Sequence, residues 1–370
     1  MGSVEPYQTA KGRRWRVRYR KPDGKTTDKR GFLTKNAATG FLLEVENDKR
    51  RGAYIDPTAG KVLFGELAES WLASKVDLKP STRQRHRHTL NGQVLPEWAD
   101  VNVNAITARE LQAWIGAMAD RYSPSTVRKA YDCMSMVLDT AVRDRLIPAN
   151  PASGLVLPRP RQAELVFLSL DELTALADAA GAHRGVILLL GLVGLRWGEM
   201  AALRVRRWSP AARRLTISES VTEVDGEMVW GTPKNRRSRT VTVPAVVAAM
   251  LNEACAGKGG DALIFTTESG AVMRNHNARR DWFDAAVRDS GVSAITPHDL
   301  RHTAASLAIS VGANVKAVQR MLGHASAAMT LDVYAGLFQD DLDTVADRLD
   351  DAWAKSCGQN VGKLRVVGAD

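Results

Sequence analysis

The sequence predicts a mainly α chain with small β-sheets, an α+β architecture built in parts, and three observations carry that expectation. Long stretches repeat apolar residues at helical spacing, strict alternation is confined to a few short runs, and proline-rich breaks cut the 370 residues into pieces of domain size. Hydrophobic residues make up 45% of the chain, which suits packed cores and not a disordered protein.

The front element runs from about Lys11 to Arg51. Arg14-Trp15-Arg16-Val17-Arg18-Tyr19-Arg20 alternates strictly, and alternate side chains of a strand point to opposite faces. One face therefore carries Arg14, Arg16, Arg18 and Arg20, the other Trp15, Val17 and Tyr19. Pro22-Asp23-Gly24 is a hairpin signal, residues 25–32 form the returning strand, and a helix follows from about Lys35 to Arg50. Four like charges on one face repel each other unless an anion sits there, so this face is a candidate for DNA phosphates; the alternative is a charged, solvated strand.

Asp56-Pro57-Thr58-Ala59-Gly60 reads as a linker, and from about Phe64 to Arg145 the spacing is helical. Phe64, Leu67, Ala68, Trp71 and Leu72 mark a first helix, and Pro80-Ser81-Thr82 opens a second. Thr107 caps a third with Leu111, Trp114, Ile115 and Met118, and Ser123-Pro124-Ser125 opens a fourth. The second helix carries Arg83, Arg85, His86, Arg87 and His88, either a solvated face or a grip on DNA. Breaks at residues 147–151 and 158–161 place the main boundary. Beyond about Leu165 the chain is mostly helical, with a strand-rich insert at residues 214–218, 228–230 and 239–243. A helix is expected over about Asp340 to Trp353, and Gly362-Lys363-Leu364-Arg365-Val366-Val367 reads as a short strand.

Lys and Arg number 51 against 41 Asp and Glu, a net charge of +10 that points to a polyanionic partner. Cys133, Cys255 and Cys357 have neither metal-ligand nor disulfide spacing, which suits a reducing cytosol. The first residues carry no apolar signal region, and the longest apolar run, Gly185 to Leu195, is too short to span a bilayer, so a membrane partner is not expected.

Four clusters carry candidate chemistry. In Gly194-Leu195-Arg196-Trp197-Gly198-Glu199, an arginine at the end of a buried helix needs an anionic partner, and Glu199 is close enough to brace it; a purely structural pair is the alternative. Residues 231–240 form a basic turn in which Lys234 could protonate a leaving oxygen, with Arg236 and Arg237 beside it, or else a solvated loop. Pro297-His298-Asp299-Leu300-Arg301-His302 sets His298 and Arg301 three apart at a helix start, where amide groups favour a phosphate. Finally, Gly323 ends a helix with His324 beyond it, and Thr330 can cap the next helix, which carries Tyr334; a lone tyrosine is more often core packing.

Taken in order, GLRxGE, TPKxxxSR, HxLRH, LGH and a tyrosine ten residues on resemble the catalytic domain of the tyrosine recombinase, or phage integrase, family, over about Leu165 to Phe338. The flanks look like the family more loosely. The resemblance implies an arm-type DNA-binding domain at residues 1–58, a helical core-binding domain at 62–152, a mixed α/β catalytic domain at 163–354 and a tail at 355–370 that docks on a neighbouring protomer. It implies that Tyr334 attacks a DNA phosphate, that Arg196 and Arg301 clamp its oxygens and that Lys234 is the general acid. His324 would bond the phosphate, His298 would take the tyrosine proton, and Glu199 and His302 would support the site. No cofactor and no metal is implied. The implied partners are double-stranded DNA at attachment sites and three further copies in a homotetramer, with the need for a DNA-bending host factor and a directionality factor left open. The rival readings are a transposon or chromosome-dimer recombinase and a non-catalytic DNA-binding regulator of the same fold.

Overall fold

In a computed structural model describing residues 2–160, 165–233, 238–334, 346–347 and 349–354, the front segment is an antiparallel sheet of three strands followed by a helix. These are β1 (Ser3–Thr9), β2 (Gly12–Arg20), β3 (Thr26–Phe32) and α1 (Lys35–Arg51). β1 lies ahead of the segment that the alternation marks. Pro6 hides it, because proline argues against a strand; β1 is an edge strand, the place in a sheet where proline is tolerated. The register of β2 on β3 shifts between Trp15↔Phe32 and Val17↔Lys29, a bulge that Gly31 accommodates at φ 98°. Val17 and Tyr19 are buried against Ala38 and Val45 of α1, with Trp15 partly covered, as the alternation predicts.

Helices α2 (Phe64–Ala73), α3 (Pro80–Thr89), α4 (Leu95–Trp98), α5 (Ala108–Ala119) and α6 (Pro124–Arg143) form a bundle. Their apolar stripes meet in a core that includes Phe64, Trp71, Leu111, Met118, Met134 and Leu138. A π turn, Leu90–Val94, links α3 to α4 just ahead of Pro96; the wider turn tolerates a residue that has no N–H to donate. Thr107 and Glu110 make a reciprocal capping box on α5, and Ser123 caps α6.

The chain divides into two compact units, residues 1–162 and 163–370. The second opens with α7 (Leu170–Ala179), α8 (Arg184–Val193) and α9 (Trp197–Ala201). α8 is apolar nearly all round and is correspondingly buried, packed by α7, by α10 (Ala245–Cys255) and by α13 (Asp299–Ser310). Among the described residues the strand-rich insert holds five strands rather than the expected three. β4 (Trp208–Ser209), β5 (Arg214–Ile217) and β8 (Arg239–Thr242) form one sheet, and β6 (Ser220–Val224) with β7 (Glu227–Gly231) forms a hairpin. The hairpin turns on Asp225-Gly226, both at positive φ, the signature of a two-residue primed turn. After α11 (Asn275–Ala278), α12 (Asp284–Asp289) and α13 come α14 (Val315–Leu322) and α15 (Ala327–Tyr334). Residues 346–347 and 349–354 are helical; the rest of the helix expected over 340–353 that is not in this set, and the tail 355–370 with its expected strand, lie outside the described residues. No described helix is long and apolar enough to cross a membrane.

Gly198 lets α9 lie against β6: a Cβ there would stand 2.2 Å from the Val221 carbonyl oxygen. Backbone cannot yield as a side chain does, so Gly198→Ala should destabilise the protein by about 1–3 kcal/mol. A thermal melt measures this; an unchanged melting temperature would show that α9 shifts freely.

Candidate functional site

The site is built where α8, α13 and α14 end or begin. Gly194 closes α8 in the left-handed conformation, φ 71°, and the reversal delivers Arg196 to the N-cap of α9. Arg196 Nη1 donates to Glu199 Oε1 at 2.9 Å, and the Arg196 amide donates to Glu199 Oε2 at 3.0 Å. Glu199 is 1% exposed. Burial by itself pushes its carboxyl up, but the hydrogen bonds and charge of Arg239, aided by Arg196, outweigh this and hold it down at about 2. Arg239 grips Glu199 in bidentate fashion, Nη1 to Oε1 at 2.9 Å and Nη2 to Oε2 at 2.7 Å, and its Nε donates to the Met321 carbonyl at 3.2 Å. Arg239 was not among the expected site residues. Its signal was present as the last residue of the TPKxxxSR run, but β8's alternation reads it as a strand residue.

Arg301 is 3% exposed in the first turn of α13. Its Nη1 donates to the Gly194 carbonyl and its Nη2 to the Leu322 carbonyl, the latter at 2.6 Å. Burial, then the neighbouring Arg196 charge, lowers its pKa to about 9, which leaves it charged at neutral pH. Asp299 holds this helix start by accepting from the Thr296 amide at 2.7 Å and the Thr296 hydroxyl at 2.8 Å.

His324 follows Gly323, the left-handed cap of α14, and its amide donates to the Gln319 carbonyl at 3.1 Å. Its Nδ1 pairs with the Thr330 hydroxyl at 2.9 Å. Thr330 therefore sits within α15 and serves His324, while the Ser326 hydroxyl accepts from the Met329 amide at the helix start, the capping role expected of Thr330. Burial, then the charges of Arg301 and Arg196, pushes His324 down to about 4, so it is neutral at pH 7. In the tautomer that accepts from the Thr330 hydroxyl at Nδ1, Nε2 carries the proton and is a donor.

Tyr334 ends α15 and is 1% exposed, packed with Ile309, Val318, Leu322 and Phe167. Its hydroxyl lies 2.8 Å from His302 Nδ1. Burial raises its pKa to about 12, with the Arg301 charge opposing. His302, expected only as support, is thus the histidine on the tyrosine. His298, expected to take the tyrosine proton, instead lies exposed at the N-cap of α13, its ring 5.0 Å from that of His302 and nearly perpendicular to it. The reason is helical geometry: the two histidines are four positions apart, about one turn, and the later one lies deeper in the unit.

A cavity of about 570 Å³ opens beside these groups, lined by Arg196, Arg239, Lys316, Arg320, Gln319 and His324 among others. Lys316 and Arg320, an i,i+4 pair on the exposed side of α14, were not expected from sequence; neither makes an ion pair among the described residues. Gln319 Oε1 is buried there with no hydrogen-bond partner. Lys234, Arg236 and Arg237 lie outside the described residues, although their flanks, Pro233 and Ser238, line the same cavity.

The other expected cations lie in the first unit. Arg16 pairs with Glu5 on the unforeseen β1 at 2.7 Å, and Arg18 stands in register with Asp28, so the arginine face of β2 has acidic neighbours of its own. Arg14 donates to the Arg13 carbonyl at 3.1 Å and Arg20 to the Gly24 carbonyl at 2.7 Å. On α3, Arg85 and Arg87 are exposed, while Arg83 is tied to the Lys75 carbonyl. His86 turns inward, against Trp71 and with Nδ1 3.2 Å from Cys133 Sγ.

The fold is that of the tyrosine recombinases. It is similar to the Tn1549 transposon integrase in complex with transposon right end DNA, at a TM-score of 0.69 and 20% identity over 78% of this chain and all of that one. It is also similar to a lambda integrase dimer bound to a COC' core site, at 0.60 and 17% identity over 89% and 93%. In sequence, the Phage integrase family matches residues 167–340 and the Phage integrase central domain matches residues 64–156. The chain belongs to the phage integrase family and is a site-specific recombinase. It is 29% identical over 282 residues to the integrase of Mycobacterium phage D29, covering 74% of each chain. It is 27% identical over 335 residues to the ICEBs1 integrase of Bacillus subtilis, covering 84% of this chain and 89% of that one.

Proposed function

We propose that the chain cuts and rejoins double-stranded DNA at attachment sites through a 3′-phosphotyrosyl link to Tyr334, integrating or excising a phage or related mobile element as a homotetramer. The observation that carries this reading is the convergence of Arg196, Arg301, His324 and Tyr334, from four helical segments, on one strongly cationic place. A scissile phosphate there would lie against both guanidiniums, whose charge stabilises the oxygens as negative charge grows on them. His324, neutral, donates a further hydrogen bond from Nε2. The Tyr334 oxygen forms a bond to phosphorus, the bond to the 5′-oxygen breaks, and Lys234 protonates that oxygen. Phosphodiester energy is kept in the new ester, so rejoining is the same step reversed. Glu199, fixed by Arg239, holds Arg196 in place.

A nicked suicide substrate tests this. Its short 5′ fragment diffuses away after cleavage and leaves the adduct trapped. Denaturing gels should show a protein–DNA band, and the peptide that carries the nucleotide should contain Tyr334; an adduct on any other residue, or none, rejects the reading.

We assign the front sheet to arm-type sites and the helical bundle to core sites. Arg85→Ala and Arg87→Ala should then each weaken core-site binding in a sequence-independent way. Each should also flatten the dependence of log K on log salt by about 0.9, one released counterion apiece. Filter binding across salt concentrations measures the slope, and an unchanged slope removes that helix from the DNA.

A further inference from the structure

We infer that His302, rather than His298, is the group that takes the Tyr334 proton as the hydroxyl attacks, with His298 the contact through which that proton reaches solvent. The inference rests on the reading of Tyr334 as the nucleophile and adds the identity of its base. A base must stand within hydrogen-bond reach of the proton it removes. His302 Nδ1 does so at 2.8 Å, and the His298 ring is placed against His302, not against the tyrosine. His324 has its Nδ1 committed to Thr330. The arginines carry no lone pair at working pH.

The environment suits the role. Burial, and then the proximity of His298, keeps the His302 pKa below the ordinary histidine value, with Asp299 pulling the other way and Arg301 adding to the depression. The ring is therefore neutral at neutral pH, and a proton on Nε2 leaves Nδ1 as the acceptor. Around His302 stand His298, Asp299 and Arg301 on its own helix, Tyr334 of α15, and His324 beyond α14. His298 is exposed, so a proton arriving on His302 has a short way out of a half-buried site.

In the step itself the Tyr334 O–H bond breaks and its proton passes to Nδ1. The phenolate electron pair forms the O–P bond, and the P–O5′ bond breaks with its pair staying on the 5′-oxygen, which takes a proton from Lys234. On rejoining, the 5′-hydroxyl gives its proton back to Lys234 as its oxygen bonds to phosphorus, the P–O bond to Tyr334 breaks with its pair on the phenolic oxygen, and His302 protonates that oxygen.

The test is single-turnover cleavage at saturating DNA, on suicide substrates with a 5′-oxygen or a 5′-sulfur at the scissile bond. A thiolate leaves without protonation, so sulfur rescues loss of the general acid but not loss of the base. His302→Asn keeps an acceptor for the tyrosine hydroxyl without a basic nitrogen. It should cut about 10²–10³-fold more slowly on both substrates with unchanged DNA affinity. Lys234→Ala should be rescued by sulfur, and His298→Ala should lose less than about tenfold. The wild-type rate should fall as pH drops below the usual histidine range, and that limb should vanish in His302→Asn. A rate for His302→Asn within about threefold of wild type, a defect that sulfur repairs, or collapse of His298→Ala alone would overturn the inference. The wild-type profile needs no variant to fold, and absence of its acidic limb counts equally against the proposal. If Tyr334→Phe still forms an adduct, the nucleophile itself is misassigned; if that variant is dead while His302→Asn is active, only the base is.

Discussion

Tyr334→Phe should bind attachment-site DNA with unchanged affinity and form no covalent complex at any time of incubation. The substitution removes one oxygen and its 2.8 Å hydrogen bond to His302, and leaves the ring among Ile309, Val318, Leu322 and Phe167. Loss of one such bond is worth about 1 kcal/mol, so the melting temperature should drop only slightly. In the proposed reaction the other described groups, Arg196, Arg301 and His324, hold charge or donate hydrogen bonds, and the attack on phosphorus falls to the phenol alone. A suicide substrate incubated with this variant and run on a denaturing gel gives the answer, and a retained adduct would mean that the tyrosine is only a packing residue.

Arg301→Lys should lose about 10²–10³-fold in cleavage rate, although the charge is kept. The native guanidinium divides its donors among the Gly194 carbonyl, the Leu322 carbonyl and, in the proposed reaction, the phosphate. A single ammonium cannot reach two carbonyls on separate helix ends and still meet a phosphate in a fixed direction. At least one carbonyl is then left without its partner, which adds a cost of about 1–3 kcal/mol in stability. Rate and melting temperature should therefore fall together. A variant that recombines at near-normal rate would show that position 301 needs only a positive charge.

Much of this was legible in the sequence because helices announce themselves locally. Thr107 with Glu110, and Ser123 followed by Pro124, fix helix starts within a few residues, and the apolar spacing of Phe64, Leu67 and Trp71 fixes the buried side. β1 was hidden by Pro6, while β6, as long as β7, is marked only by the Asp225-Gly226 turn that joins the two. At the site, order and spacing named Arg196, Arg301, His324 and Tyr334, but spacing along a chain does not say which neighbour a side chain meets. That the tyrosine hydroxyl finds His302, that Arg239 crosses from β8 to grip Glu199, and that Glu5 answers Arg16 are consequences of tertiary approach between segments 11 to 40 residues apart. Lys316 and Arg320 escaped notice for the opposite reason: an exposed i,i+4 cation pair looks like any solvated helix face until the cavity beside it is seen.

The two carbonyls that receive Arg301 belong to the main chain, at the closing turns of α8 and α14. A scaffold of peptide oxygens is indifferent to the identity of the residues that bear them. Laboratory evolution toward new target sequences can therefore exchange side chains at exposed positions of α14, such as Lys316 and Arg320, without re-aiming the guanidinium, provided the turns survive, whereas the buried face of α8 has to stay apolar. Exposed α14 is then the tolerant element, while the two glycine turns, at Gly194 and Gly323, are the places where substitutions should be avoided.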